Sequence, residues 1–255
     1  TEMVDMFKSK NLQSVKHGFF GRLGGVSTGI YSSLNLSEKT TDSKANIDAN
    51  RALVMDELDI SSEKVFFPNQ QHTSNVVFID KTTDFNTVSR KPVDAVITNL
   101  KGTGVGILTA DCSPILAHER ESGFILAIHA GWKGALAGIC ENALNSLKNL
   151  GVDIKKISVA IGPTISTKCY EVKLDFIEAF IKANPYFENF FFKEDGAYFF
   201  DLTLFIESRF NLFGVYDIHN LGLCTYENPE LFFSNRRAYH KSERDFGRMA
   251  SIICL

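Results

Sequence analysis

Residues 105–134 read VGILTADCSPILAHERESGFILAIHAGWKG, and the fold turns on how this stretch is parsed. Three short apolar runs, 105–109, 115–117 and 124–128, are each bounded by turn-forming or polar residues. A half-exposed strand alternates apolar and polar side chains, so runs this continuous predict strands covered on both faces. From Gly134 onward the pattern changes. Leu136, Ile139, Cys140, Ala143, Leu144 and Leu147 recur at helical spacing, which predicts one helix, and Gly151 stands where its C-terminal cap belongs.

The same reading extends in both directions. Residues 17–22 predict an aromatic strand running into the turn-rich 23–29, and 76–79, 95–98 and 157–161 are further short apolar runs. Asp42 or Ser43 can cap a helix over about 45–58, with Ile47, Val54 and Leu58 on one face. Residues 176–181 lie in another helix, and Asp201 caps one that ends at Gly214 and leads into a strand at 215–218. Residues 248–255 form a terminal strand. Strands in close succession together with helical crossovers imply an α/β (α+β) fold, a single domain over 1–255 with a mixed β-sheet flanked by helices. Twenty-two phenylalanines, several of them between 187 and 200, are expected in core and edge packing.

Composition narrows the function. The 27 basic and 30 acidic side chains leave a net charge of −3, without the surplus of Lys and Arg that general nucleic-acid or acidic-membrane binding requires. With 44% hydrophobic and 22% charged residues the chain belongs with globular proteins rather than disordered ones. Apolar stretches such as 123–130 are too short to span a bilayer. Five scattered cysteines with no CxxC pair and an N-terminus without an apolar core point to a reducing, cytoplasmic setting.

Chemistry gathers at the ends of the buried runs. His72 precedes the run 76–79, Cys112 follows 105–109, and His129 ends 124–128. A residue at a strand end is held by the sheet yet faces a cleft. Two imidazoles and a thiolate suit Zn²⁺, and three protein ligands leave a fourth position for water or substrate. The gaps of 40 and 17 residues match no local zinc signature, so spacing by itself favours a loop histidine, a buried cysteine and a hydrogen-bonded strand-end histidine. Cys112 activated by His129 as a nucleophile is a further reading.

A series of motifs then runs in order along nearly the whole chain. It includes Gly21-Arg22-Leu23-Gly24-Gly25-Val26-Ser27, Ser33-Leu34-Asn35-Leu36, Asn50-Arg51, Gln70-Gln71-His72 and Asp94-Ala95-Val96-Ile97-Thr98. It continues with Thr109-Ala110-Asp111-Cys112-Ser113-Pro114, His129-Ala130-Gly131-Trp132-Lys133-Gly134, Tyr170-Glu171-Val172, Cys224 and Ser234-Asn235-Arg236-Arg237 leading to Gly247-Arg248. In this the chain resembles the laccase-domain family, also called multicopper polyphenol oxidase-like or YfiH-type proteins. The resemblance implies metal ligation by His72, Cys112 and His129, with zinc as the cofactor and copper as the older assignment. It also implies phosphorolysis of adenosine, inosine and S-methyl-5′-thioadenosine, adenosine deamination, and a monomer whose partners are a purine nucleoside and phosphate. The older family label implies a copper polyphenol oxidase, and some relatives are linked to editing of cell-wall precursors, where a Cys/His hydrolase or a non-catalytic binding protein would serve.

Further residues take expected roles beside the ligands. Cys112 and His129 are placed in catalysis, and Asp111 either transfers a proton or is structural, because neighbours on an extended segment point opposite ways. Arg51 and Arg248, with Asn35, are expected at substrate or phosphate, since guanidinium grips phosphate by two prongs. Arg236 and Arg237 are weaker candidates for that charge, and Trp132 and Phe19 are expected in packing rather than on a purine. The chain departs from the family at one place. Asn235 stands where a tyrosine is expected, and residues 238–246 lengthen the path from Arg237 to Gly247, which puts the pocket wall and substrate preference in question.

Overall fold

Successive side chains of a strand point to opposite faces, so a strand that is apolar throughout needs a partner layer on each side. The computed structural model, which describes residues 3–61 and 64–255, meets this need by stacking sheets between helices. In chain order the strands are Met6–Phe7 (β1), Lys16–Phe20 (β2), Val65–Phe66 (β3), Val76–Ile79 (β4), Ala95–Thr98 (β5), Gly104–Thr109 (β6) and Ser113–Glu119 (β7). Then follow Phe124–Ala130 (β8), Ser158–Ile161 (β9), Glu171–Val172 (β10), Phe191–Glu194 (β11), Ala197–Phe200 (β12), Ile218–Asn220 (β13) and Met249–Cys254 (β14). The helices are Lys44–Glu57 (α1), Phe85–Val88 (α2), Trp132–Leu136 (α3), Ile139–Asn149 (α4), Leu174–Ala183 (α5), Leu202–Leu212 (α6) and Asn235–His240 (α7).

The fold is mixed α/β, and its strands are divided among three sheets. One is five-stranded in the order β1-β2-β14-β6-β3, one six-stranded in the order β13-β9-β7-β8-β5-β4, and a small antiparallel sheet has the order β10-β12-β11. Both large sheets are mixed: β3 runs parallel to β6 in the first, and β4 to β5 and β13 to β9 in the second. Leu116, Ile125, Ala127 and Ala160 of the six-stranded sheet pack with Phe19, Val105, Ile107 and Ile253 of the five-stranded one. Their sequence neighbours Ile115, Ala117, Leu126, Ile128, Val159 and Ile161 point the other way, onto the apolar faces of α4, α5 and α6. Phe20, Ala250 and Ile252 turn outward from the five-stranded sheet onto Val54 and Met55 of α1. The layers are thus helix, sheet, sheet and helix. Each fully buried aliphatic or phenylalanine side chain contributes about 1.5–3 kcal/mol.

Local differences from expectation have local causes. The helix predicted beyond Gly134 is two helices, α3 and α4, because Gly138 between them takes φ +92°, a left-handed conformation that ends one turn and starts another. The strand expected at 215–218 forms instead at Ile218–Asn220, since Val215 is wholly buried in the helix layer after Gly214 closes α6. Ser43 caps α1 by accepting from the Asn46 amide, and Asp201 caps α6 by accepting from Leu204. Phe176, Phe180, Phe187, Phe190, Phe191, Phe200 and Phe205 pack among themselves and the small sheet. No helix among the described residues is long and apolar enough to cross a membrane.

Candidate metal centre

The antiparallel pairing of β7 with β8 matches Ser113 to Ala130 and Pro114 to His129, so Cys112, one residue before β7, comes opposite Gly131. His72 arrives from the loop between β3 and β4, where its backbone takes φ +60°. That conformation is uncommon for a residue with a side chain, and a single buried carboxylate holds it. Asp94, the residue before β5, accepts from the amides of Gln71, His72 and Thr73 at 3.2, 3.1 and 2.7 Å and from the Thr73 hydroxyl at 2.8 Å. The same carboxylate lies 2.7 Å from His129 Nδ1, and the Asp94 carbonyl accepts from the His129 amide at 2.8 Å. An ionised carboxylate only accepts, so Nδ1 carries the proton and Nε2 is the free ligand atom.

The ligand atoms of His72, Cys112 and His129 all lie within 4.8 Å of one another, with Cys112 Sγ 3.8 Å from His72 Nε2. The two imidazole rings meet nearly edge-on, their centroids 4.8 Å apart. Gly131 leaves the room: a Cβ there would stand 2.8 Å from Cys112 Sγ and 3.1 Å from His72 Cδ2. A thiolate and two imidazoles, one of them oriented by a carboxylate through its other nitrogen, fit a divalent ion such as Zn²⁺, or copper, with one coordination position left over.

The electrostatics agree with that donor chemistry. Burial would raise the Cys112 thiol, but the neighbouring His129 and His72 overcome it and bring the thiol down to about 6. Burial would lower His129, yet the Cys112 sulfur and Asp94 raise it to about 9. For Asp94 burial is again the largest influence and acts upward, and the hydrogen bonds from His129 and Thr73 outweigh it, holding the carboxyl at about 2. Near neutrality the Cys112–His129 pair is a thiolate beside an imidazolium and shares one proton.

Two clefts open onto the centre. The first, about 440 Å³, is bordered by His72, Cys112 and His129 on one side and by Lys39, Arg51 and Arg248 on another, with Phe67 and Phe246 as apolar walls. The second, about 350 Å³, reaches His72 and Cys112 past Trp132, Tyr170 and Arg236. Both fall in the range of about 300–1,000 Å³ usual for small-molecule sites. Arg248 lies over the Phe246 ring and its Nη1 makes only long contacts of 3.4–3.5 Å, to Ser37, Lys39 and Phe246. Arg51 pairs with Glu38 at 2.8 Å, and Lys39 Nζ bonds Asn69 and the Gln70 carbonyl.

The expected residues are therefore only partly brought together. Arg51 and Arg248 line the cleft. Asn35 does not: it is wholly buried, donates to Thr40 and Asp42, and accepts from the amides of Ser37 and Arg248, so it shapes the loop that carries the cations. Asp111 is committed to the wall, its carboxylate accepting from Thr225, Ser234 and the Arg236 amide at 2.6, 2.9 and 2.6 Å. Burial raises it, against those bonds and the Arg237 charge. Asp111 also borders the second cleft, with these bonds holding it in the wall. Arg237 is spent on the carbonyls of Thr225, Tyr226 and Phe232. The lengthened 238–246 stretch begins within the last turn of α7 and runs on beyond it, and Asn235 borders both clefts while Phe246 walls the first. Trp132 packs on Phe176 at 4.6 Å while an edge borders the second cleft, and Phe19 is core.

Sequence reasoning missed Asp94, Lys39 and Gly131. Asp94 stood within a quoted motif, and a carboxylate leading directly into an otherwise apolar strand was the available signal. Gly131 likewise stands in the motif that begins at His129, but its role, like that of Lys39, depends on neighbours distant in the chain.

Comparison with known proteins agrees with this architecture. Residues 16–255 match the profile of the family described as multi-copper polyphenol oxidoreductase laccase. A purine nucleoside phosphorylase of Streptomyces coelicolor is 32% identical over 240 residues, covering 93% of this chain and 94% of that protein. The purine nucleoside phosphorylase YfiH of Escherichia coli is 32% identical over 234 residues, 92% of this chain and 91% of the other. Among solved structures, the Bacillus licheniformis protein YfiH superposes with a TM-score of 0.89 at 26% identity, covering 98% of this chain and 96% of that one. With a profile match over nearly its whole length and relatives of this similarity, the chain belongs to the multi-copper polyphenol oxidoreductase laccase family, whose YfiH-type members include purine nucleoside phosphorylases.

Proposed function

We propose that this protein is a zinc-dependent purine nucleoside phosphorylase acting on adenosine, inosine and S-methyl-5′-thioadenosine, with adenosine deamination as a second activity. The observation that carries the reading is the convergence of His72, Cys112 and His129 in a cleft whose other wall carries Lys39, Arg51 and Arg248. A donor set for a cation beside a wall for an anion suits a reaction between a nucleoside and phosphate. The relatives named as purine nucleoside phosphorylases support the same class.

His72 Nε2, Cys112 Sγ and His129 Nε2 would hold the ion. Once bound it supplies a Lewis acid beside the reacting atoms. Asp94 keeps the His129 proton on Nδ1 and fixes the His72 loop. Arg248, with few strong bonds of its own, and Arg51, on exchanging Glu38 for substrate, grip the phosphate in two-pronged fashion. So held, a phosphate oxygen bonds to C1′ as the C1′–N9 bond breaks, and the base leaves with the bonding electrons and takes a proton. In deamination, water adds at C6 and ammonia departs.

The test is to incubate metal-loaded protein with adenosine, with and without phosphate. Adenine and ribose 1-phosphate are expected only with phosphate, and inosine under both conditions. Absence of all three products sinks the reading.

One observation favours a second reading: Cys112, His129 and Asp94 form a relay in which a thiolate faces an oriented imidazolium. A Cys112 nucleophile predicts alkylation-sensitive activity that survives chelation, and loss of activity on chelation excludes it. A phenol-oxidation assay tests the copper oxidase that the family's descriptive name suggests.

A further inference from the structure

A second group of donors lies outside both clefts. The ligand atoms of Cys169, Cys224 and Glu227 are all within 4.8 Å of one another. Cys169 ends the one-turn helix Thr167–Cys169, and Cys224 and Glu227 are three residues apart in the turn that follows β13. The two segments are clamped together by a parallel bridge between Thr164 and Cys224, through Thr164 N to the Leu223 carbonyl at 3.0 Å and Thr225 N to the Thr164 carbonyl at 3.2 Å. Two donors spaced by two residues in a turn, with a third from an adjoining segment, resemble the ligand spacing of small structural zinc sites.

Burial, with Cys224 and Glu227 beside it, pushes the Cys169 thiol up to about 11, so charged sulfur here needs a cation to hold it. The Ser166 amide donates to Cys224 Sγ at 3.3 Å, a bond that strengthens when the sulfur is a thiolate. The Ser166 hydroxyl lies beside the Cys169 thiol. Arg237, bonded to the carbonyls of Thr225 and Tyr226 within the same turn, supplies positive charge nearby. A disulfide has no use for the third group, since Glu227 only adds negative charge beside the sulfurs. A cation uses all three.

We propose that Cys169, Cys224 and Glu227 form a second, structural site for a thiophilic divalent cation of the Zn²⁺ class, with solvent at the remaining position. Bound there, the ion ties the 166–169 segment to the 224–227 turn. Thr225 of that turn donates to Asp111, the neighbour of Cys112, so the second site stiffens the wall behind the candidate centre.

The test is cobalt uptake by the full chain, stripped with a chelator under reductant and reloaded with Co²⁺ alone. The expected result is two equivalents in the unaltered protein and one in Cys112→Ser, that one retaining a thiolate-to-cobalt charge-transfer band in the near ultraviolet. Glu227 is exposed, so Glu227→Gln keeps the fold; it should weaken this second uptake by about tenfold. Cys169→Ser should diminish the band. Cys112→Ser protein that binds no cobalt and shows no band overturns the proposal, as does an intact mass showing Cys169 and Cys224 joined as a disulfide in freshly purified protein. If the band persists in Cys112→Ser and the unaltered protein binds only one equivalent, the second site stands and the first fails.

Discussion

Asp94 divides its two oxygens between an imidazole and a loop, so replacing it acts on both. Asp94→Asn keeps the shape but removes the charge that fixes the His129 tautomer, and metal affinity should fall about 10–100-fold by competition with a chromophoric chelator. The carboxylate also links stability to pH. Its folded value of about 2 lies below the ordinary 3.8, so its stabilisation is complete above the unfolded value and is lost as pH falls toward 2. The difference is worth about 2 kcal/mol for this fully buried group. Thermal melts between pH 5 and 2 should show that loss in the parent protein and not in Asp94→Asn; parallel slopes would refute the pairing. The Cys112–His129 pair makes a different prediction. Holding one proton between about 6 and about 9, it should release about one proton per ion bound near pH 7.5. Calorimetry in two buffers of different ionisation enthalpy measures this, and no net release would contradict the shared-proton picture.

Two glycines show how different demands act within neighbouring elements. Gly131, at the start of α3, has φ −79° and ψ 171°, which alanine adopts freely, so a substitution there is felt only by the ligands its Cβ would strike. Gly131→Ala should lower metal affinity by at least about tenfold with little change in melting temperature, since the ligands sit on loops and strand ends. A Cβ on Gly138, between α3 and α4, would meet only Glu141 Oε2 at 3.7 Å, an ordinary contact, but φ is +92°, so there the backbone objects. Gly138→Ala should cost about 1–2 kcal/mol and lower the melting temperature by several degrees while metal affinity stays unchanged. Equal effects of the two substitutions on metal binding would contradict this division. The apolar spacing of 136, 139, 140, 143 and 147 continues on both sides of Gly138, and for that reason the break was not legible in the sequence. The shift of a strand to Ile218–Asn220 was likewise hidden, because Val215 is as apolar as a strand residue and only packing assigns it to the helix layer.

At the scale of the whole molecule, the first cleft lies where the two large sheets end together. Cys112 and His129 come from the six-stranded sheet, whereas Arg248 immediately precedes β14 of the five-stranded one. Arg248→Ala should therefore leave the metal stoichiometry intact and raise the apparent KM for phosphate about tenfold or more, the loss of one charge-assisted contact of about 1.5–3 kcal/mol. Phosphate dependence equal to that of the parent protein would make Arg248 structural. The chain alone determined the apolar runs that build the core strands and the helix cap at Asp201, because periodicity and cap chemistry are local properties; it left Asp42 and Ser43 both open for α1 and gave the three donors no local signature. Only the tertiary structure decided that those strands form two stacked sheets, that Asn35 and Asp111 bond to segments far away in the chain, and that Asp94 joins His72 to His129. Such contacts span 22 residues from His72 to Asp94, 125 from Asp111 to Arg236 and 213 from Asn35 to Arg248, and they arise from sheet pairing and layer packing, which no local pattern encodes.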